Sequence, residues 1–194
     1  MMIIQSISPA TQHILRFYAK CFIYPYEEMQ YELQHLFRLT ERDSESTEEL
    51  AFVEQILNIL NMYQGMELKE LREDYVNLFT ENSPCPLIAS EFVRRYAIKY
   101  DSEVFSELIA ESGIPVNPDE PVDSVINYIE YMSLLSEDLL LGGGDQKPVN
   151  SFLKEHISVW IPAFCEVLYK TSNLGFYREI AVGINEYISW LINE

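Results

Sequence analysis

Between Asp74 and Tyr96 the chain finishes one apolar helix face, forbids its continuation and starts again, in the stretch DYVNLFTENSPCPLIASEFVRRY. Leu68, Leu71, Tyr75, Leu78 and Phe79 share one face at helical spacing. Pro84 and Pro86 then stop that helix, because proline lacks the N–H donor and restricts the residue before it. Ser90 and Glu91 mark a new helix start, followed by the basic pair Arg94 and Arg95. A chain with this punctuation must form a fixed corner between two helices, and such corners are common places for a groove.

The rest of the chain is helical on either side of that corner. Ser8-Pro9 is a hydroxyl cap followed by proline at the first helical position. The first helix carries Ile14, Leu15, Tyr18 and Phe22 and stops before Pro25, and the second carries Met29, Leu33, Leu36 and Phe37. Thr40 to Thr47 reads as a connection. Ser46 and Glu49 form a capping box for a third helix that ends at Gly65. After the corner, helices are predicted from about Ala89 to Lys99, from Ser102 or Glu103 to Gly113, from near Pro121 to Leu141, from Val149 to Lys170 and from Phe176 to Ile192. The segment IPVNPDEP is a rigid loop, and Gly142-Gly143-Gly144 is the most flexible joint. Strand alternation and hairpin dipeptides are missing. The prediction is an all-α, single-domain bundle of about eight helices over residues 1–194.

Lys and Arg total 13 against 31 Asp and Glu, a formal charge of −18. That argues against a non-specific nucleic-acid binder, which needs a basic face, and permits a cationic partner. Cys21, Cys85 and Cys165 are far apart and form no C-x-x-C pair, which fits a reducing compartment and argues against a zinc site. Cys85, between two prolines, is a candidate exposed thiol with no base or cation beside it in sequence, and is read as inert. No apolar run approaches the roughly 18 residues that span a bilayer, and the start lacks a secretory pattern, so the protein is expected to be cytoplasmic. Phosphate loops, H-E-x-x-H, G-x-S-x-G and dinucleotide fingerprints are all missing from the sequence. The expectation is a binding protein, not an enzyme, with no metal or cofactor of its own.

Two further stretches could carry binding. On a helix, Asp123, Asn127 and Glu130 fall on one stripe, with the carboxylates about 10 Å apart along the axis. That spacing is loose for acid–base work on one bond but suits two cationic side chains of a peptide. The alternative is a solvated face, with Asp123 favoured near a helix N-terminus. Phe152, His156, Trp160 and Phe164 form an aromatic ridge, read either as a core helix with a hydrogen-bonded histidine or as the wall of a groove. Pro162 is expected to kink that helix.

Taken together, these stretches resemble the TorD/DmsD/NarJ-type redox-enzyme maturation chaperones over most of the chain. Tyr75-x-x-Leu78-Phe79, Pro84-x-Pro86-Leu87 and Ser90 are similar to the family's Y-x-x-L-F … P-x-P-P-Y-x-S segment. Pro121-x-Asp123 with Ile129-Glu130-Tyr131-Met132 is similar to its second motif, and His156-x-x-x-Trp160 with Phe164, then Phe176-Tyr177-Arg178, to its C-terminal helices. Ser124 and Tyr128 stand where the commonest TorD/DmsD form has histidine and glutamate. The Ile-Glu-Tyr-Met ending is closer to the nitrate-reductase branch.

The resemblance implies an all-helical chaperone for a molybdenum-cofactor oxidoreductase of the dimethyl-sulfoxide-reductase type. Such a chaperone binds the N-terminal leader of the catalytic subunit, twin-arginine or vestigial, and holds the subunit for cofactor insertion before export. The leader would lie as a helix in a groove. Its arginines would meet Asp123 and Glu130, and its apolar part would pack on Leu87, Tyr131 or Trp160. Tyr75, Phe79, Pro86, Ser90, Glu91, Asn127 and His156 complete the expected peptide-binding set. A monomer or a domain-swapped dimer fits, with the glycine joint as the place of exchange. The competing readings are a protein–protein adaptor without a cofactor link and, behind it, a helical metal-dependent hydrolase.

Overall fold

The computed structural model describes residues 7–80, 82–112, 121–142 and 145–192. Among the described residues the regular structure is helical: α1 (Pro9–Cys21), α2 (Met29–Asp43), α3 (Thr47–Gly65), α4 (Leu68–Phe79), α5 (Ala89–Arg95), α6 (Glu103–Ser112), α7 (Val125–Gly142), α8 (Lys147–Phe152), α9 (Ser158–Thr171) and α10 (Gly175–Ile192). A π-helical turn, Leu153–Ile157, joins α8 to α9. The all-α expectation holds. The loop IPVNPDEP falls, apart from Pro121, outside the described residues, as do Gly143 and Gly144.

Helix α1 is almost wholly buried and organises the bundle. It packs against α7 on one side and α2 on the other, while α10 packs against α9 and α3. Phe17, Phe22, Trp160, Phe164, Phe176 and Tyr187 are among the large side chains fully withdrawn from solvent. Edge-on contacts run through this core: Phe22 meets Phe79 at 5.8 Å and Phe164 at 5.7 Å, and Phe164 meets Phe92 at 5.4 Å. Such offset pairs add to the burial of each ring.

The sequence signals for helix ends are met where side chains provide them. Glu49 N–H donates to Ser46 Oγ at 3.1 Å and Ser46 N–H donates to Glu49 Oε2 at 3.1 Å, closing the capping box. Burial opposes ionisation of Glu49, but the N–H and hydroxyl donors around it outweigh that and hold its carboxyl below the usual range.

Three expectations need correction. Helix α2 runs on to Asp43, because nothing before Ser44 withdraws a backbone donor. Helix α5 ends at Arg95, four residues early, with Ala97 in the left-handed region at φ 53° so that Ile98 N–H can reach Val93 O at 2.9 Å. Helix α7 starts at Val125, because residues 121–124 are spent on a contact with the corner. Pro162 lies inside α9, and the irregularity stands one turn before it: Ser158 N–H donates to Leu153 O, five residues back. Proline has no N–H to offer the carbonyl four residues earlier, here that of Ser158.

Candidate peptide-binding site

The corner is a closed piece of architecture. Ala89 N–H donates to Asp123 O at 2.8 Å, Val125 N–H donates to Leu87 O at 2.7 Å, and Ile88 and Ser124 form an isolated antiparallel bridge. Asp123 also accepts Ser90 N–H on Oδ2 at 2.9 Å, so its carboxylate caps α5 from a distant segment. Two orphan donors at the α5 start are thereby satisfied by one residue. Ser124 in turn caps α7, accepting Asn127 N–H on Oγ at 3.2 Å. The Asn127 amide donates to Pro121 O at 3.1 Å and Val122 O at 3.0 Å, tying the loop to its helix. Pro86 is buried, Leu87 half-buried and Ser90 exposed. Glu91 pairs with Arg95 at 2.7 Å, one turn along α5.

Cys85 is fully buried, which corrects the expectation of an exposed thiol. It lies 3.6 Å from Thr171 Oγ1, and burial pushes its pKa up to about 11. Tyr75 donates to Phe22 O at 3.0 Å and packs edge-on against Tyr24 and Phe79. Phe79 continues into the core through Tyr177.

The aromatic ridge resolves as core. Trp160 is fully buried, with Tyr128 at 5.1 Å and Phe164 at 5.9 Å. Tyr131 is buried against Phe152 at 4.9 Å. Neither side chain offers the accessible apolar wall expected of it. His156 is 7% exposed and stacks on Phe152. Its Nδ1 lies 2.8 Å from the Tyr100 hydroxyl, which lies 2.9 Å from that of Tyr128. With Nε2 carrying the imidazole proton, Tyr128 donates to Tyr100 and Tyr100 donates to His156 Nδ1. Burial lowers the His156 pKa, with Glu155 opposing weakly, and raises that of Tyr100 to about 12.

Of the acidic stripe, Glu130 opens onto a cavity. A groove of about 560 Å³ lies where α1 forms the floor and α2 and α7 form the walls. Glu130 and Leu134 line it from α7, Tyr31, Glu32, His35 and Leu36 from α2, and Arg16 and Lys20 from α1. Tyr31 is 64% exposed. Arg16 donates to Glu137 Oε2 at 2.6 Å and Lys20 pairs with Glu32 at 2.7 Å, so each floor cation leans on one wall.

The sequence reading missed every lining residue except Glu130. Each helix carries the signal as an i,i+4 pair: Arg16 with Lys20, Glu32 with Leu36, Glu130 with Leu134. What it could not supply is that α2 and α7 flank α1. Among the described residues no three His, Cys, Asp or Glu side chains come within range of one metal ion. No described helix is long and apolar enough to cross a membrane.

Residues 40–166, from the end of α2 into α9, match the family model described as the nitrate reductase delta subunit. The chain belongs to the nitrate reductase delta subunit family. This is the NarJ/TorD-type chaperone family, and the matched span takes in the corner, the acidic stripe and the ridge. A crystal structure of a proposed redox enzyme maturation protein from Archaeoglobus fulgidus is similar in fold, with a TM-score of 0.62 at 19% identity over 92% of this chain and 93% of that one. A search of curated proteins finds no match. Helix α1 and most of α2, which supply the floor and one wall of the groove, precede the span that this delta subunit family model matches.

Proposed function

We propose that this delta-subunit-family chaperone works on a molybdenum-cofactor oxidoreductase by holding the N-terminal leader of the catalytic subunit until the cofactor is inserted. Membership of the family is the observation that carries the reading. The molybdenum cofactor is the client's, and the chaperone's own task is to recognise a basic, apolar segment. The excess of 31 acidic over 13 basic side chains supports it, since such a surface steers a cationic segment inward. The open apolar cavity beside Glu130 supports it too, since helix-in-groove binding needs an unfilled groove. Holding the leader keeps the subunit from export while it is still empty.

The test is isothermal titration of the chaperone with synthetic N-terminal peptides of molybdenum-cofactor oxidoreductase subunits from the same genome, at low and high salt. One peptide is expected to bind with Kd of about 1 μM or tighter, an interaction of about −8 kcal/mol. Its affinity should fall with salt as exposed charges are screened. No binding by any peptide would contradict the proposal and favour an adaptor that recognises folded partners.

A further inference from the structure

We infer that the leader seats in the groove between α1, α2 and α7, and not at the corner where the sequence motifs concentrate. The inference rests on the leader-binding reading above and names the surface that would carry it. Three observations lead to it. First, at the corner the Asp123 carboxylate accepts Ser90 N–H at the start of α5, and Trp160 and Tyr131 are buried against other rings. Second, the cavity of about 560 Å³ between α2 and α7 is floored by α1 and walled by Leu36 and Leu134, with Tyr31 standing exposed at its edge. That volume receives a few apolar side chains from one face of a helix, the i, i+3/i+4, i+7 pattern of helix-in-groove recognition.

Third, the charges around the groove fit a cationic helix. Glu32 and Glu130 line the groove beside Arg16, Lys20 and His35, with Glu137 paired to Arg16. Both ion pairs are partly exposed, with the Arg16 and Glu137 side chains at 37% and 35% and those of Lys20 and Glu32 at 24% and 45%, and Glu32 also accepts the Tyr26 hydroxyl on its other oxygen. Exposed pairs of this kind are held weakly. An incoming guanidinium can therefore take a share of Glu32, and it brings a planar pair of donors where the lysine offers a point charge. Apolar residues of the leader fill the slot between Leu36 and Leu134 while its cations reach Glu130 on one lip and Glu32 on the other. Because α1 and most of α2 lie before residue 40, this seat is built largely from the part of the chain that the family model does not match.

Point variants test the assignment against the peptide that wild-type protein binds. Tyr31→Ala and Glu130→Arg change exposed positions, so both should fold, which their melting temperatures check. Each should weaken that peptide by about tenfold or more, as loss of an anchor or a facing charge does. Glu130→Gln should lose less than Glu130→Arg. Arg94→Glu, exposed on α5 at the corner, should stay within about twofold of wild type by the same scale. If both groove variants keep wild-type affinity, the seat is elsewhere, and the leader-binding reading survives without it. If instead Tyr31→Ala leaves peptide affinity intact but converts a dimer to a monomer in light scattering, the groove holds a second copy of the chain and the inference is overturned. Failure of wild type to bind any peptide removes the functional reading and this inference together.

Discussion

The corner and the groove divide the labour of this fold in opposite ways. Around Pro84–Ser90 and Pro121–Asn127, every polar group named above has a partner inside the protein, and the rings behind it are dry. Between α2 and α7 the walls are half-exposed, the ion pairs are partly exposed and the cavity is open. The corner is dense in recognisable residues because its backbone geometry is demanding. Two prolines, a capping carboxylate and a capping serine are each hard to replace there. The groove is composed of ordinary helix positions, and its shape comes from which helices meet. The lesson is that motif density can mark where a fold is pinned, while a receptive surface can lie where side chains border an open cavity.

That contrast predicts a graded series of effects. The largest belongs to the core behind the corner. Trp160→Ala should cost about 3–5 kcal/mol of stability, since it empties a fully enclosed site. Urea unfolding measures it, and a loss under about 1 kcal/mol would mean that Trp160 is not packed as described. Next, Asp123→Ala should cost about 1–2 kcal/mol, the scale of a lost helix cap, by removing the acceptor of Ser90 N–H. If Asp123 were instead an accessible receptor for a leader arginine, the variant would lose affinity with little change in stability.

A pH effect follows in size. His156 is buried and its folded pKa is lowered, so the unfolded chain takes up its proton at about pH 6.5 while the folded protein resists until the pH is lower still. Its contribution is therefore fully present above about pH 6.5 and is lost as pH falls through that value toward the folded pKa. His13, buried beside Asp43 at 3.1 Å, adds in the same direction because burial outweighs its carboxylate partner. Melting temperature measured from neutral to mildly acidic pH should fall less steeply in His156→Gln than in wild type. Equal slopes would show that burial does not lower the His156 pKa in the folded protein. The smallest effect is a gain: Ala97→Gly should stabilise by up to about 1 kcal/mol, because glycine adopts φ 53° without the Cβ penalty.

Much of the fold was legible in the sequence, for identifiable reasons. The Ser46–Glu49 box, the Pro84/Pro86 break and the apolar periodicity of α3 and α10 are local signals, and local signals survive folding. The ends that were misjudged depend on partners distant in sequence. Helix α7 starts at Val125 because Leu87 claims its N–H, and nothing in residues 121–125 announces that. The site was harder to read. Asp123, Asn127 and Glu130 do share a helical stripe by spacing, but the first precedes α7 and caps another helix, the second ties its own loop, and the third borders the groove. Tyr31, alone on the outer face of α2, carries no local sign that α7 stands opposite.

Hydrogen–deuterium exchange of the chaperone with and without its bound leader peptide tests most directly whether the groove binds while the corner holds the fold. The account predicts new protection on residues of α1, α2 and α7 that border the groove, Arg16 to Lys20, Tyr31 to Leu36 and Glu130 to Leu134, with residues 84–96 unchanged. Protection concentrated at 84–96 and 121–127, with the groove unaffected, would contradict it.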